Sequence, residues 1–264
     1  MKKQNIFKVL ILDSIMSTLP DGCVDMVFCD LPYGTTQNSW DSLIPFDKLW
    51  EQYRRVLKPN GAVVLTADQP FTSQLIISNI DWFKYEWIWR KKRTTGFLLA
   101  NYRPMKQTED IVVFSPAGAA AASRNGGNMT YNPQGLIEKR VKKKNSAKRL
   151  GNFLHNPEHM GAGNKLLHDT EYEQKYTNYP SEIIEFALDK NSVHPTQKPV
   201  ALMEYLIKTY TNEGEVVLDN CMGSGTTGEA CMNTNRKFIG IEKDSEYYQV
   251  ASNRLNKPIY SAML

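Results

Sequence analysis

Five short apolar runs in this chain each end in an acid, and that arrangement limits the possible folds more than any other feature. Residues 6–12 lead to Asp13, 24–29 to Asp30, 62–67 to Asp68, 216–218 to Asp219 and 237–241 to Glu242. Runs of this length, set between helical stretches, read as strands of a buried sheet. A helix is expected where Phe46, Leu49, Trp50, Tyr53, Val56 and Leu57 recur at helical spacing, up to the stop at Lys58-Pro59-Asn60-Gly61. Further helices are expected from Pro70 toward Ile80 and over residues 199–210, 226–233 and 244–256. Two more strands, 85–90 and 110–114, flank a turn-rich link holding Gly96 and Pro104. The alternation predicts an α/β fold with a Rossmann-like, doubly wound, mostly parallel sheet. Ligands of such sheets bind at the carboxyl ends of the strands, where all five acids fall. Each acid alone is also explained as a helix cap.

Two of these strand ends carry chemistry. Asp30-Leu31-Pro32-Tyr33 closes the second run; Pro32 removes a ladder donor and pushes Leu31 toward an extended conformation. The tetrapeptide gathers a carboxylate, a backbone carbonyl and an aromatic face, groups able to grip a planar amino-substituted heterocycle. An ordinary Asp-x-Pro turn is the plainer reading. After Asp219 comes a small-residue loop, Asn220-Cys221-Met222-Gly223-Ser224-Gly225, and a helix opening at Thr226. Gly223, Gly225 and Gly228 also fit G-x-G-x-x-G, the dinucleotide pattern. Glu242, one βαβ step further on, suits hydrogen bonds from ribose hydroxyls.

The chain is long enough to bury a substantial core, as one domain or as a domain with an insert. A formal net charge of +4 permits a nucleic-acid partner without requiring one. The four cysteines form no C-x-x-C pair, which fits reduced, intracellular use. Lys8 and Asp13 interrupt the first apolar run, so it reads as a strand rather than a signal peptide. No segment is apolar over the length of a bilayer. A soluble intracellular protein with no bound metal is expected.

Between Ser115 and Ser192 the alternation stops. An Ala-Gly run precedes a basic cluster of Lys139, Arg140, Lys142, Lys143, Lys144, Lys148 and Arg149, with Tyr131, Phe153, Tyr172, Tyr176 and Tyr179 around it. Cations with aromatics nearby can track a phosphate backbone and stack on bases; a solvated charged face is the alternative. His155-Asn156-Pro157-Glu158-His159 matches H-x-x-E-H, but Pro157 would break the helix that must align two imidazole ligands. His194-Pro195-Thr196-Gln197-Lys198-Pro199 then opens a helix, with Thr196 as its expected N-cap.

Taken together, these segments resemble the amino-group DNA methyltransferases that use S-adenosylmethionine (SAM), in the β order, where the catalytic tetrapeptide precedes the cofactor loop. Asp30 to Tyr33 is similar to the family's D-P-P-Y, His194 to Pro199 to its H-P-T-x-K-P, and Asp219 to Thr226 to its D-P-F-x-G-S-G-T. Phe238 to Glu242, with Tyr247, resembles G-I-E-x-x-x-x-Y. Leu12-Asp13-Ser14 and Arg55 to Gly61 resemble further family segments. Leu31 stands where the family has its first Pro, and the backbone carbonyl needed there remains. Asn220 and Cys221 replace Pro-Phe, removing an aromatic that the family packs near the cofactor.

The resemblance implies a division into residues 1–115 as the catalytic half, 116–190 as a target-recognition insert and 191–264 as the SAM-binding half. It implies that Asp30 and the Leu31 carbonyl accept the hydrogens of an adenine exocyclic amine, while Pro32 shapes the turn and Tyr33 stacks on the flipped base. It places Glu242 on the ribose and Asp13 on the cofactor adenine. Asp219, Asn220, Cys221, Gly223, Ser224, Gly225 and Thr226 border the methionine part, and Thr196 and Lys198 receive its carboxylate. Asp at position 30, where cytosine enzymes of the family often have Ser, favours adenine. Double-stranded DNA is the implied partner, with a homodimer and a cognate restriction endonuclease also compatible. A cytoplasmic protein, nucleoid-associated or phage-encoded, is expected. The same chemistry on cytosine or RNA, a nucleotide-dependent oxidoreductase and a non-catalytic DNA-binding module are the alternatives.

Overall fold

The structure is a computed structural model that describes residues 5–8, 15–33, 44–120, 127–144, 171–189 and 197–256. Its elements run β1 (Asn5–Lys8), β2 (Val24–Asp30), α1 (Phe46–Val56), β3 (Leu57–Ala67), α2 (Phe71–Ser78), β4 (Phe83–Thr95) and β5 (Lys106–Phe114). A single 3-10 turn, Phe97–Leu99, lies between β4 and β5. Then follow β6 (Ile137–Lys144), β7 (Glu171–Thr177), β8 (Ile183–Glu185), α3 (Val200–Tyr210), β9 (Val216–Asp219), α4 (Thr226–Asn233), β10 (Lys237–Glu242) and α5 (Ser245–Leu255).

Eight strands form one sheet in the order β1-β10-β9-β2-β3-β5-β4-β8. The run from β1 to β3 is parallel throughout; β5 is antiparallel to both β3 and β4, and β8 is parallel to β4. The sheet is therefore Rossmann-like and mostly parallel. From β2 the chain crosses to β3 on one side, and from β9 it crosses to β10 on the other. The line between β2 and β9 is thus the topological switch point, where the loops after the strands part and leave a crevice.

Both faces of the sheet are covered, which explains the mostly apolar sequence of β2. Met26 and Phe28 pack with Leu202, Leu206 and Tyr210 of α3, Cys231 of α4 and Leu255 of α5. Val27 and Cys29 face the opposite layer, against Leu49, Trp50 and Tyr53 of α1 and Phe71 and Leu75 of α2. Asp25 is the one acid inside that run; it accepts hydrogen bonds from the Val216 N–H at 2.9 Å and from Lys58 Nζ at 2.7 Å. A buried carboxylate so partnered ties the start of β9 to β2 and helps set their register.

Several expected elements are longer than the sequence pattern suggests. β4 runs past residue 90 to Thr95 and β5 begins at Lys106, so the expected turn-rich link is the tip of an antiparallel hairpin. The expected helix stop at residues 58–61 lies inside β3, where the pairing with β2 shifts between Val24 and Met26. Residues 9–12, the latter part of the first expected strand, lie outside the described residues.

The chain divides into two compact units, Met1–Asn132 with Ser181–Leu264, and Pro133–Pro180. The second is narrower than the expected insert of 116–190, because residues 127–132 and β8 belong with the sheet. Its described core is the antiparallel pair β6–β7, in which Lys142 faces Glu173 and Lys144 faces Glu171. Residues 121–126 and 145–170, the latter including the H-x-x-E-H match, lie outside the described residues. Among the described residues, no helix is long and apolar enough to cross a membrane, and no group of three or more His, Cys, Asp or Glu could hold a metal ion.

Candidate active site

Asp30 ends β2 directly opposite Thr66 of β3. The Thr66 hydroxyl donates to Asp30 Oδ1. Tyr33 Oη lies 2.8 Å from the same oxygen and 3.0 Å from Thr66 Oγ1, so its single hydrogen serves one of them. Lys198 Nζ donates to Asp30 Oδ2 at 2.9 Å. A carboxylate offers about four lone-pair sites, so three donors leave room for one more. The tetrapeptide therefore presents an oriented acceptor whose other bonds hold it still. One face of Tyr33 is stacked on Phe71, with centroids 5.0 Å apart and an interplanar angle of 28°.

Lys198 reaches this site from the segment that leads into α3. Its ammonium also pairs with Glu109 Oε1 at 2.7 Å, and Glu109 Oε2 pairs with Lys91 Nζ at 2.7 Å. Burial would lower the lysine's pKa, but the Asp30 and Glu109 carboxylates outweigh it and hold the ammonium above its ordinary value. The cation expected beside the cofactor carboxylate thus donates a hydrogen bond to Asp30 and forms an ion pair with Glu109. Burial first, then the Asp30 and Glu109 charges, pushes the Tyr33 hydroxyl well up, so it stays a neutral donor.

Across the switch point, Asp219 ends β9 and is buried. Its Oδ1 accepts the Cys221 N–H at 3.0 Å and its Oδ2 the Thr227 hydroxyl at 2.5 Å. Burial nevertheless raises its carboxyl to about 7, against the lowering effect of those donors. Gly223 and Gly225 adopt left-handed conformations, at φ 51° and 81°, and Gly225 caps α4. A side chain would be strained at either turn. Glu242 ends β10; its Oε2 accepts the Gly223 N–H and its Oε1 the Asp244 N–H, each at 2.8 Å. Asp244 in turn caps α5 by accepting from the N–H groups of Glu246 and Tyr247.

Gly228, the third member of the dinucleotide pattern, answers a different demand. A Cβ there would lie 2.8 Å from Leu255 and Phe238, so α4 needs glycine to pack on its neighbours. Asn220 is also turned inward. Its Oδ1 accepts the Tyr53 hydroxyl at 2.6 Å, and leaving that buried phenol unpartnered would cost about 1–3 kcal/mol. Cys221 is half-buried beside it, and Ser224 and Thr226 accept contacts from Arg254 of α5 at 3.4 and 3.0 Å. Arg254 also reaches Gln197 Oε1 at 3.4 Å, joining the glycine loop to the segment that carries Lys198. Asp13 and Thr196 lie outside the described residues.

Thr66, Phe71, Lys91, Glu109 and Arg254 went unread in the sequence. No local motif marks them, because each meets the site through pairing or packing between distant segments. The β4–β5 hairpin did carry a signal, Arg90-Lys91-Lys92-Arg93 followed by Gly96-Phe97-Leu98-Leu99. Phe97, Leu98 and Tyr102 are strongly exposed there, at 79%, 93% and 86%. The register of Ala67 with Asp110 places this hairpin on the same sheet edge as Asp30. In the second unit, Lys139, Arg140 and Lys142 are exposed; Arg140 lies 3.2 Å from Glu138, while Lys148 and Arg149 fall outside the described residues.

The family model N6_N4_Mtase, described as a DNA methylase, matches residues 24–253. The chain belongs to this DNA methylase family. It is 27% identical over 253 residues to the DNA adenine methyltransferase YhdJ of Escherichia coli (strain K12), covering 91% of this chain and 79% of that protein. To the Type II methyltransferase M.HpaI of Haemophilus parainfluenzae it is 28% identical over 259 residues, covering 91% and 71%. Among solved structures, M1.HpyAVI in complex with SAM aligns with a TM-score of 0.60 at 25% identity, over 95% of this chain and 99% of that one. The cytosine-N4-specific PvuII DNA methyltransferase shares the fold, with a TM-score of 0.66 at 15% identity over 98% and 89%.

Proposed function

We propose that the chain is a site-specific DNA adenine methyltransferase that uses SAM. The observation that carries this reading is the Asp30 carboxylate, fixed by Thr66, Tyr33 and Lys198 at the switch point beside Asp219. An exocyclic amine is a weak nucleophile because its lone pair is delocalised into the ring. Asp30 accepts one amine hydrogen and the Leu31 carbonyl the other, which localises that lone pair and stabilises the charge that grows on nitrogen. Asp30 is also placed to take the proton that the methylated amine must lose. The face of Tyr33 opposite Phe71 would stack on the base, which has to leave the duplex to reach this depth.

The cofactor side fits a cationic nucleoside. Asp219 and Glu242 bring two carboxylates to adjacent strand ends, and the left-handed glycines leave the loop between them without side chains at its turns. Glu242 would hold the ribose, and Asp219 with the loop 220–226 the methionine part. Asp13 and Thr196 keep the roles that the resemblance implies. When bound, SAM supplies an electrophilic methyl group on a positively charged sulfur. Duplex DNA would lie across the sheet edge, met by Arg90, Lys92, Arg93 and Arg103 of the hairpin and its exposed aromatics. Lys139, Arg140, Lys142, Lys143, Lys144, Lys148 and Arg149 would add phosphate contacts. A homodimer and a cognate restriction endonuclease are the further partners this reading allows, with the cytoplasm as its setting.

The test is nucleoside mass spectrometry after incubating mixed-sequence duplex DNA with the protein and SAM, with Asp30→Ala as control. Methylated adenine from the wild type alone is expected. Methylated cytosine would overturn the base, and no product from DNA despite SAM binding would overturn the substrate.

A further inference from the structure

We propose that Glu109 is a positioning residue for this reaction, setting the charge that Asp30 presents to the amine; the inference rests on the function proposed above. Glu109 is 6% exposed, at the start of β5 and opposite Trp89 of β4. It links two ammonium groups, Lys91 and Lys198, each 2.7 Å away, and Lys198 continues to Asp30 at 2.9 Å. Four charges thus alternate in a line from the base of the hairpin to the tetrapeptide. Nothing in the sheet calls for them, since a β-branched residue would serve β5 as well. Buried ion pairs are, moreover, weak contributors to stability.

Their order suits the chemistry. Lys198 anchors Asp30 but alone would cancel its charge, leaving a neutral pair facing an amine that becomes positive. Glu109 restores one net negative charge to the Asp30–Lys198–Glu109 group. It also draws the ammonium from the far side, so that Lys198 orients Asp30 without neutralising it. Lys91, beyond Glu109 and 4.9 Å from the Trp89 ring centroid, offsets the cost of burying the second carboxylate. Lys91 stands at the opposite end of this line from Asp30, so neutralising it should not weaken the charge that Asp30 presents.

Single-turnover methyl transfer at saturating DNA and SAM tests this, with Glu109→Gln, Lys91→Gln and Lys198→Gln compared with wild type. Glu109→Gln should slow transfer on the order of 30-fold, below the 10²–10³-fold typical of losing a direct transition-state contact. Its SAM affinity should stay within about twofold of wild type, since Glu109 does not touch the glycine loop. Lys91→Gln should leave the saturated rate undiminished. In a Lys198→Gln background the Glu109→Gln change should have no further effect, because Glu109 acts through that ammonium. Glu109→Asp, which keeps the charge, should recover most of the rate, and it replaces Glu109→Gln if the latter does not melt cooperatively. An undiminished rate in folded Glu109→Gln, an equal loss with and without Lys198, or an equal loss in Lys91→Gln would overturn the inference. An inactive wild type would sink the proposed function and this inference with it; an active wild type with an unaffected variant overturns the inference alone.

Discussion

Charged side chains are used in opposite ways at the sheet edge and in the 133–180 unit. At the edge, Lys198 is nearly buried and held by two carboxylates at 2.7 and 2.9 Å, and each oxygen of Asp30 has an assigned donor. In the 133–180 unit, Lys139, Arg140 and Lys142 are exposed on a two-stranded sheet, with Glu173 and Glu171 placed across from Lys142 and Lys144. Across those strands, β6 carries five cations and one acid against two acids and one cation on β7, which leaves three net positive charges. Fixed, desolvated charge can direct a reaction at one atom. Exposed charge of this kind can attract a polyanion but cannot orient it closely, and salt screens it.

The largest effect should follow from breaking the edge at its centre. Asp30→Ala removes the acceptor for the amine, and transfer should fall by at least about 10³-fold while SAM affinity changes little. Single-turnover rates beside equilibrium SAM binding would separate the two; retained activity would mean the edge is not the reacting centre. Glu242→Ala strikes the cofactor side of the same edge. Two charge-assisted bonds, to the Gly223 and Asp244 N–H groups, are lost along with any bond to the cofactor. SAM affinity should weaken on the order of 10–100-fold, as titration calorimetry can measure. An unchanged affinity would place the ribose elsewhere.

The 133–180 unit should answer differently. Replacing Lys139, Arg140 and Lys142 with Gln should leave the saturated transfer rate intact and weaken DNA binding by about tenfold at moderate salt. The slope of log affinity against log salt should flatten by up to about three. A lower saturated rate with an unaltered slope would erase the distinction between the two regions.

This distinction also decided what could be read from the chain. β2 with Asp30, the loop after Asp219, and β10 with Glu242 were legible because each places its strand, turn and acid within a few adjacent residues. The extension of β4 to Thr95 was not. Lys91 to Thr95 project past the core, where hydrogen bonds to β5 hold a strand without apolar alternation. β8 has only three residues and exists by pairing with Ile88, Trp89 and Arg90 of β4. β6 reads as a charge run because none of its described side chains is buried, so nothing imposes a period of two on them. Within the site, Asp30 was evident, but its partners Thr66 and Lys198, and the Glu109 that pairs with Lys198, come from three separate segments. Their meeting depends on strand register, which no local pattern encodes. Lys198 was singled out for its charge and assigned to the cofactor; its pairing with Asp30 and with Glu109 of β5 could not be foreseen. Asn220, expected to border the methionine part of the cofactor, likewise meets a partner from a distant segment, the Tyr53 hydroxyl on α1.

The smallest effect, and the sharpest test of the edge as a set of tuned charges, concerns pH. Burial raises the Asp219 carboxyl to about 7, above its ordinary value of 3.8, so the folded chain binds this proton more tightly than the unfolded chain does. The stability this group contributes is therefore present below the ordinary value and is lost as pH rises through about 7. Without cofactor, the melting temperature should decline from pH 6 to pH 8, and Asp219→Asn should flatten that decline. A cationic ligand beside Asp219 favours the ionised form, so SAM affinity should move the opposite way, rising several-fold over the same interval. The rise should vanish in Asp219→Asn, measured by calorimetry in buffers of matched ionic strength. DNA affinity in the absence of SAM draws on the exposed cations of the 133–180 unit and should not follow the Asp219 titration. If SAM affinity stays flat across pH 7 while the melting temperature falls, Asp219 is a buried structural acid, and the cofactor's charge is met at Glu242 instead.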